Sequence, residues 1–163
     1  MFRQIFCAAA FVAAFPTMGV GNGIDGFRLG MTMEQAMKVS SERGYSFGKA
    51  IAGSPNWTAY ALSNDGPSIS FCGNVLSAVS KTTDSNLHEF THLVEHRTKS
   101  LGAPDGTTAS QSYSQGKPLS SLNYWWVQEN VEPSLSLFQW GRRTPQMSYG
   151  YSYINHPCRP STR

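Results

Sequence analysis

The segment 122-LNYWWVQ-128 contains two adjacent tryptophans, Trp125 and Trp126, in a stretch typical of a β-strand. Neighbouring side chains on a strand point to opposite faces of the sheet. The pair therefore places one large apolar group on each face. One of these faces can be the core of the protein, and the other needs a separate reason to be apolar.

The same question arises along the rest of the C-terminal half, where strands are predicted at 119–128, 134–140 and 146–154. Two sets of aromatic residues compete for the exposed position: Trp125, Phe138 and Trp140, or Tyr149, Tyr151 and Tyr153. Only one face of each strand can point outward, and the alternation does not decide which one. An exposed aromatic face predicts a protein-recognition site. The alternative is that the whole stripe is core, with both faces buried.

Two helices are predicted, one in each half of the chain. In 30-GMTMEQAMKVSSERGY-45, Thr32 and Gln35 have the spacing of a capping box. The segment 84–104 carries apolar residues at helical spacing and meets a stop signal at Gly102. Each half of the chain is therefore expected to contribute one helix of moderate length.

Strands predicted at 46–52, 57–62 and 68–82 follow the first helix, and the last of them bends back on itself. The chain thus runs in the order helix, strands, helix, strands. This order predicts an α+β fold whose antiparallel meanders carry the helices on one face. We expect two tandem units, 22–84 and 85–163, in one compact domain; a single antiparallel sheet with two helices fits the same order.

The N-terminal segment 1–21 is typical of a cleaved export signal, and a buried helix is the alternative. Arg3 precedes an apolar run that is too short for a membrane span, so no stable membrane insertion is expected. Charged residues make up only 14% of the chain, which also favours a periplasmic or secreted protein. The net charge of +3 is small and forms no basic stripe, so nucleic acid is not expected as a partner.

The cysteine count supports the same compartment. Cys7 lies in the segment expected to be removed, which leaves Cys72 and Cys158. An even pair in an oxidising compartment predicts a disulfide, and two separate thiols are the alternative. Closing so long a loop would stabilise the fold by about 4 kcal/mol in the chain-entropy model.

The segment 88-HEFTH-92 matches the H-E-x-x-H pattern of zinc peptidases. On a helix, His88 and His92 share one face and can bind a zinc ion, with Glu89 as the general base. The third histidine of one such pattern is replaced by Thr98. The histidines also lie opposite the apolar stripe, as expected for a solvated face or for one that lines a cleft. A zinc site is therefore the alternative to a solvated helix face.

Three stretches resemble a known layout: 25-DGFRLGMTMEQAMKVSSERGY-45, 69-ISFCGNVLSAVSKT-82 and 90-FTHLVEHRTKSLGAP-104. The layout is similar to the β-lactamase inhibitory protein fold and to the small outer-membrane assembly lipoproteins that share it. The resemblance implies an exported module that binds another protein through the concave face of its sheet. In the inhibitors an aspartate on a hairpin enters the target enzyme, and Asp65 has a comparable place here. The chain departs from the pattern because Cys7 lacks a lipobox and the expected disulfide would join the two halves.

These observations predict an exported, non-enzymatic protein-binding module that uses no cofactor. The partner is expected to be another protein, bound through Asp65 and through one of the two aromatic sets. A small secreted zinc peptidase that uses His88, Glu89 and His92 is the alternative. A third reading is that the same aromatic rings stack on glycan or peptidoglycan.

Overall fold

The computed structural model describes residues 23–54, 56–114 and 116–158, so the predicted export signal lies outside the described residues. The α+β class is confirmed, because the described chain combines two helices with an extensive sheet. The elements are, in chain order, β1 Gly23–Ile24, β2 Phe27–Arg28, α1 Met33–Glu42, β3 Ile51–Ser54, β4 Trp57–Ala61, β5 Ser68–Cys72, β6 Val75–Asp84, α2 Leu87–Leu101, β7 Gly106–Ser114, β8 Lys117–Trp125, β9 Val131–Trp140 and β10 Gln146–Tyr153.

Eight of the strands form one antiparallel sheet in the order β3-β4-β5-β6-β10-β9-β8-β7. Strands β3 to β6 form one meander and β7 to β10 form another. Their last strands, β6 and β10, pair at the centre, where Tyr149 lies opposite Lys81. The short strands β1 and β2 form a separate hairpin. This order places the two edges of the sheet at β3 and β7.

Directly paired residues of an antiparallel sheet share a face, so the register assigns each side chain to one side. Leu137 pairs with both Leu122 and Met147, and Leu135 pairs with both Tyr124 and Tyr149. These residues lie on the side against which both helices pack, and we call this side the helix face. The opposite side carries Trp125, Ser134, Ser136, Phe138, Trp140 and Ser148, and we call it the open face.

The helices begin where the sequence supplies caps. The side chain of Thr32 accepts a hydrogen bond from the Gln35 backbone while the Gln35 side chain returns one, so the predicted capping box is confirmed. The side chain of Asn86 caps α2 by accepting a hydrogen bond from the Glu89 backbone. Each helix then buries a residue against the sheet, Ala36 from α1 and Phe90 from α2.

The core on the helix face consists of two clusters. The larger one joins α1 and the β1–β2 hairpin to the strands of the first meander, with Phe27, Ile69 and Val79 at its centre. The smaller one, under α2, consists of Phe90, Trp126, Leu135 and Met147. Tyr149 packs against both clusters, so they form one continuous layer between the helices and the sheet.

An ion pair ties the β1–β2 hairpin to the sheet. The ammonium of Lys81 donates a hydrogen bond of 2.7 Å to Asp25, and the hydroxyl of Tyr45 donates another of 2.9 Å. The hydrogen bond from Lys81 holds the pKa of the Asp25 carboxyl below its usual value. The same contact raises the pKa of Lys81.

The fold confirms one of the strand predictions for the first half of the chain and displaces another. The predicted bend in 68–82 is confirmed, since β5 and β6 turn at Gly73. The strand predicted at 46–52 is displaced: the observed strand begins at Ile51, and Phe47 makes only an isolated bridge with Leu62. No helix among the described residues has the length and apolar character to cross a membrane.

The predicted disulfide is present between Cys72 and Cys158, with their Cα atoms 5.6 Å apart. It joins the end of β5 to the tail that follows β10. Because the β5–β6 turn and the β9–β10 loop lie at opposite ends of the sheet, the disulfide is remote from that loop. The cross-link therefore fastens the tail to the first meander.

Candidate binding surface on the open face of the sheet

Trp125 and Trp126 have opposite environments, which answers the question raised by their adjacency. Trp126 is fully buried beneath α2, and its indole N–H donates a hydrogen bond of 3.0 Å to the carbonyl of Gly102. Trp125 is paired with Ser134 and Gly106, and its side chain lies on the open face. One tryptophan therefore completes the core, and the other belongs to the uncovered side.

The tyrosine set lies on the wrong side of the sheet to form an exposed surface. Tyr149, Tyr151 and Tyr153 all pack against the core on the helix face. The guanidinium of Arg97 on α2 lies 5.4 Å from the centre of the Tyr151 ring. The register pairs Tyr151 with the buried Val79, so this half-buried set lies on the helix face and not on the open face.

The other set, Trp125, Phe138 and Trp140, lies on the open face. All three side chains are half-buried, and none belongs to either core cluster. Trp125 is level with Ser134, six residues before Trp140 on β9, so the two indoles are separated by about 20 Å along the strands. The aromatic rings therefore form two separate positions on the open face.

Between these positions the open face is polar. One row of directly paired residues crosses five strands and consists of Thr82, Ser148, Ser136, Asn123 and Thr108. The Asn123 amide donates a hydrogen bond of 3.2 Å to the Thr108 hydroxyl. In the neighbouring row the hydroxyls of Ser110 and Ser121 are 2.8 Å apart. Small polar side chains leave the backbone accessible and keep this part of the face compatible with water.

The first aromatic position is a hollow of about 280 Å³ beside Trp125, lined also by Asn123, Ser134 and Ser136. The Trp125 ring lies against the backbone of Gly106 on the edge strand, where any side chain would collide with it. Because residue 106 is a glycine, the Trp125 ring can lie directly on the backbone of the edge strand. The hollow offers an aromatic wall together with hydroxyl and amide groups.

The second position is a larger cavity of about 770 Å³, which we call the Trp140 pocket. Its aromatic side is formed by Phe138 and Trp140 near the end of β9. Cations and an acid from other strands and from the β9–β10 loop complete it, namely Lys117, Arg142, Arg143 and Asp84.

The local sequence explains the shape of this pocket. Gly141 adopts a left-handed φ of 59° and its N–H donates a hydrogen bond of 2.7 Å to the carbonyl of Pro118. The N–H of Arg143 then donates to the carbonyl of Trp140 at 3.1 Å. This tight turn directs the chain back into β10 and places both arginines beside the two rings. The strands predicted at 134–140 and 146–154 leave this stretch as the connection between them.

None of the cations of the Trp140 pocket takes part in a salt bridge within the described part of the chain. The salt bridges in this part of the chain join Lys81 to Asp25 and Lys99 to Glu95, and neither includes a residue of the pocket. With three cations and one carboxylate, the pocket lining has a formal charge of 3 − 1 = +2. The pocket therefore combines apolar rings with an excess of positive charge.

Asp65 lies in the exposed turn between β4 and β5, with a left-handed φ of 55°. This turn and the β9–β10 loop are at the same end of the sheet, since β5 begins where β6 approaches its end. Asp65 does not line the Trp140 pocket. The structure therefore places this sequence candidate outside the pocket that contains Phe138 and Trp140.

The H-E-x-x-H segment lies on α2 with His88, Glu89 and His92 all exposed. The Glu89 carboxylate accepts a hydrogen bond of 2.9 Å from Ser85. Within the described ranges, the group of three or more metal-binding side chains is Cys72, His156 and Cys158, and it contains the disulfide. The two helix histidines have no third ligand close to them in this part of the chain.

No family model, curated protein or solved structure matches this chain.

Proposed function

We propose that this protein is an exported, non-enzymatic module that binds another protein through the open face of its sheet. The observation that carries the proposal is the position of Trp125, Phe138 and Trp140. These large rings lie on the side of the sheet away from both helices and outside both core clusters. Aromatic anchors surrounded by polar groups are characteristic of protein-recognition surfaces.

We propose that the chain shares the tandem layout of the β-lactamase inhibitory protein fold. A helix and a four-stranded meander occur twice, and the last strands of the meanders meet at the centre. We propose that 22–84 and 85–163 are tandem units of one domain and that 1–21 directs its export. The disulfide between Cys72 and Cys158 suits the periplasm or an extracellular location.

The exposure of the H-E-x-x-H segment favours the non-enzymatic reading. A catalytic zinc ion normally has three protein ligands and an open position for water, held in a site that excludes bulk solvent. His88 and His92 are on the surface of α2, and no described third ligand accompanies them. We therefore assign no catalytic role to Glu89.

Capture from an envelope extract tests the proposal. Purified protein is immobilised, and capture by the wild type is compared with capture by Trp125→Ala and Trp140→Ala. Tyr113→Ala is the matched control, because Tyr113 is 78% exposed and its partner Pro118 assigns it to the opposite side of the sheet. We expect one saturable partner that both tryptophan variants lose and that the control retains. Equal capture by all variants would refute the proposal, and so would sedimentation with purified cell wall instead of capture of a protein.

A further inference from the structure

We propose that the Trp140 pocket receives an acidic segment of the protein partner, with a carboxylate between the cations and an apolar side chain against the rings. This inference rests on the proposed function and adds the chemistry of the partner. The open face as a whole does not specify that chemistry, because its central rows are neutral. The cations line the pocket at one end, built by β8, β9 and the β9–β10 loop, whereas the hollow beside Trp125 at the other end includes the carboxylate of Glu132.

The cations identify the ligand as an anion. Lys117, Arg142 and Arg143 line one cavity, and within the described residues none of them takes part in a salt bridge. All three side chains are exposed, so solvent compensates their charges in the free protein, and an anionic ligand would take over that role on binding. Arginine side chains bind carboxylates through two parallel hydrogen bonds, which adds geometric selectivity to the attraction.

The two aromatic rings of the pocket favour a ligand that carries an apolar side chain as well as a negative charge. Phe138 and Trp140 form an apolar wall in the same cavity as the arginines. A free inorganic anion would leave this wall exposed to water. A peptide that places a leucine-like side chain next to a glutamate would cover the rings and pair with the cations together. Burial of such a side chain is favourable in proportion to the apolar area that it removes from water.

The acceptors in the pocket favour a peptide over a phosphate group. The Gln146 amide donates a hydrogen bond of 3.3 Å to Asp84, and both residues line the cavity. The Asp84 carboxylate repels a densely charged phosphate group, whereas it can accept a hydrogen bond from a backbone N–H. The partner is therefore an acidic peptide segment, and neither a phosphate group nor an anionic lipid headgroup fits all of these residues.

Fluorescence anisotropy with a labelled peptide of alternating glutamate and leucine tests this assignment. The matched probe carries glutamine in place of each glutamate. Four proteins are compared at low salt: the wild type, the double variant Arg142→Gln with Arg143→Gln, the single variant Lys117→Gln, and the control Lys38→Gln with Lys49→Gln. Lys38 and Lys49 are exposed and lie outside the pocket, so the control removes the same charge elsewhere. Lys117→Gln provides a second pocket variant that leaves the loop unchanged.

We expect the wild type to bind the acidic probe at least about tenfold more tightly than the glutamine probe. The arginine variant should lose at least about tenfold in affinity, Lys117→Gln should weaken binding in the same direction, and the control should match the wild type. Equal binding of the two probes, or equal losses in the arginine and control variants, would overturn the assignment. Displacement of the probe by millimolar phosphate or by anionic phospholipid vesicles would overturn it as well.

Failure of this inference can be told apart from failure of the proposed function. If the arginine variant still captures the partner that Trp125→Ala and Trp140→Ala lose, the acidic assignment is wrong and the open face remains the binding surface. If the tryptophan variants retain the partner, the proposed function itself is wrong, whatever the probe shows.

Discussion

The indole ring of Trp125 occupies the space that a side chain on Gly106 would fill, and the two residues are direct partners across β7 and β8. The ring at the end of β8 thus rests on the backbone of the edge strand β7. Gly106 therefore contributes to the candidate binding surface by supporting the Trp125 ring. It also makes the position of Trp125 testable without altering the tryptophan.

Substitution of Gly106 by alanine should displace the Trp125 ring. The added methyl group collides with the indole, so we expect a loss of about 1–3 kcal/mol in the free energy of unfolding and a shift in tryptophan emission. The measurement is urea unfolding followed by fluorescence. In the background of Trp125→Ala the same substitution should be neutral or slightly stabilising, because nothing remains to collide with. A loss of equal size in both backgrounds would show that the ring does not rest on Gly106.

The adjacent tryptophans should respond differently to truncation. Trp126→Ala removes a fully buried side chain and the hydrogen bond to Gly102, so we expect a loss of about 3–5 kcal/mol in the free energy of unfolding. Trp125→Ala truncates a half-buried ring on the open face and should cost about 1–2 kcal/mol, less than Trp126→Ala. Chemical denaturation of the two variants side by side provides the comparison. Similar losses would contradict the assignment of the two rings to opposite faces.

The ion pair between Asp25 and Lys81 should make stability depend on pH at both extremes. Hydrogen bonding to Lys81 lowers the pKa of Asp25 below its ordinary 3.8, so this stabilisation is present above that value and is lost as pH falls through the lower folded pKa. The pKa of Lys81 is raised above 10.5, so its stabilisation is present below pH 10.5 and is lost as pH rises through the folded pKa.

Asp25→Asn removes the ion pair and keeps a residue that tolerates the left-handed φ of 53°. We expect a loss of about 1 kcal/mol in the free energy of unfolding at neutral pH, and a smaller difference from the wild type at either extreme. Asp65→Asn is a suitable control, because Asp65 is exposed, has a similar φ of 55° and forms no salt bridge within the described residues. Unfolding by urea across a pH series measures both variants. A constant difference between Asp25→Asn and the wild type at all pH values would contradict the prediction.

The disulfide should contribute strongly to stability because it connects residues 86 positions apart. In the chain-entropy model a loop of this length corresponds to about 4–5 kcal/mol. We expect the double variant Cys72→Ser with Cys158→Ser to unfold at lower urea concentration than the oxidised protein. Adding a reductant should lower the stability of the wild type and leave that of the double variant unchanged. A thiol assay that finds both cysteines free in oxidised protein would rule out the cross-link.

Zinc should not be retained by the H-E-x-x-H segment. The exposed His88 and His92 offer two ligands, whereas stable zinc sites in proteins use three or four. We expect dialysed protein to contain much less than one zinc ion per chain, and His88→Ala to have the same metal content and the same unfolding midpoint as the wild type. Oxidised protein is required, because reduction would free Cys72 and Cys158 beside His156 as a separate group of ligands. Stoichiometric zinc that disappears in His88→Ala would support the peptidase alternative.

The local features of the fold were predictable because each depends on residues close together in the chain. Thr32 and Gln35 cap α1 within a single turn, and their spacing is visible in the sequence. The turn at Gly73 divides the long strand prediction into β5 and β6. The displaced first strand shows the limit of this reasoning, because Phe47 has strand-like neighbours but makes only one bridge.

The sequence by itself determined the alternation that puts Trp125 and Trp126 on opposite faces, the capping box of Thr32 and Gln35, and the two cysteines that lie outside the predicted export signal. Only the tertiary structure decided which face is covered, because that depends on the register between strands far apart in the chain. The same pairing placed Tyr149 beneath the helices and built a polar row from five strands. It also brought Asp84, Lys117 and Arg142 into one pocket, since hydrogen bonding between strands joins residues that sequence spacing leaves unrelated.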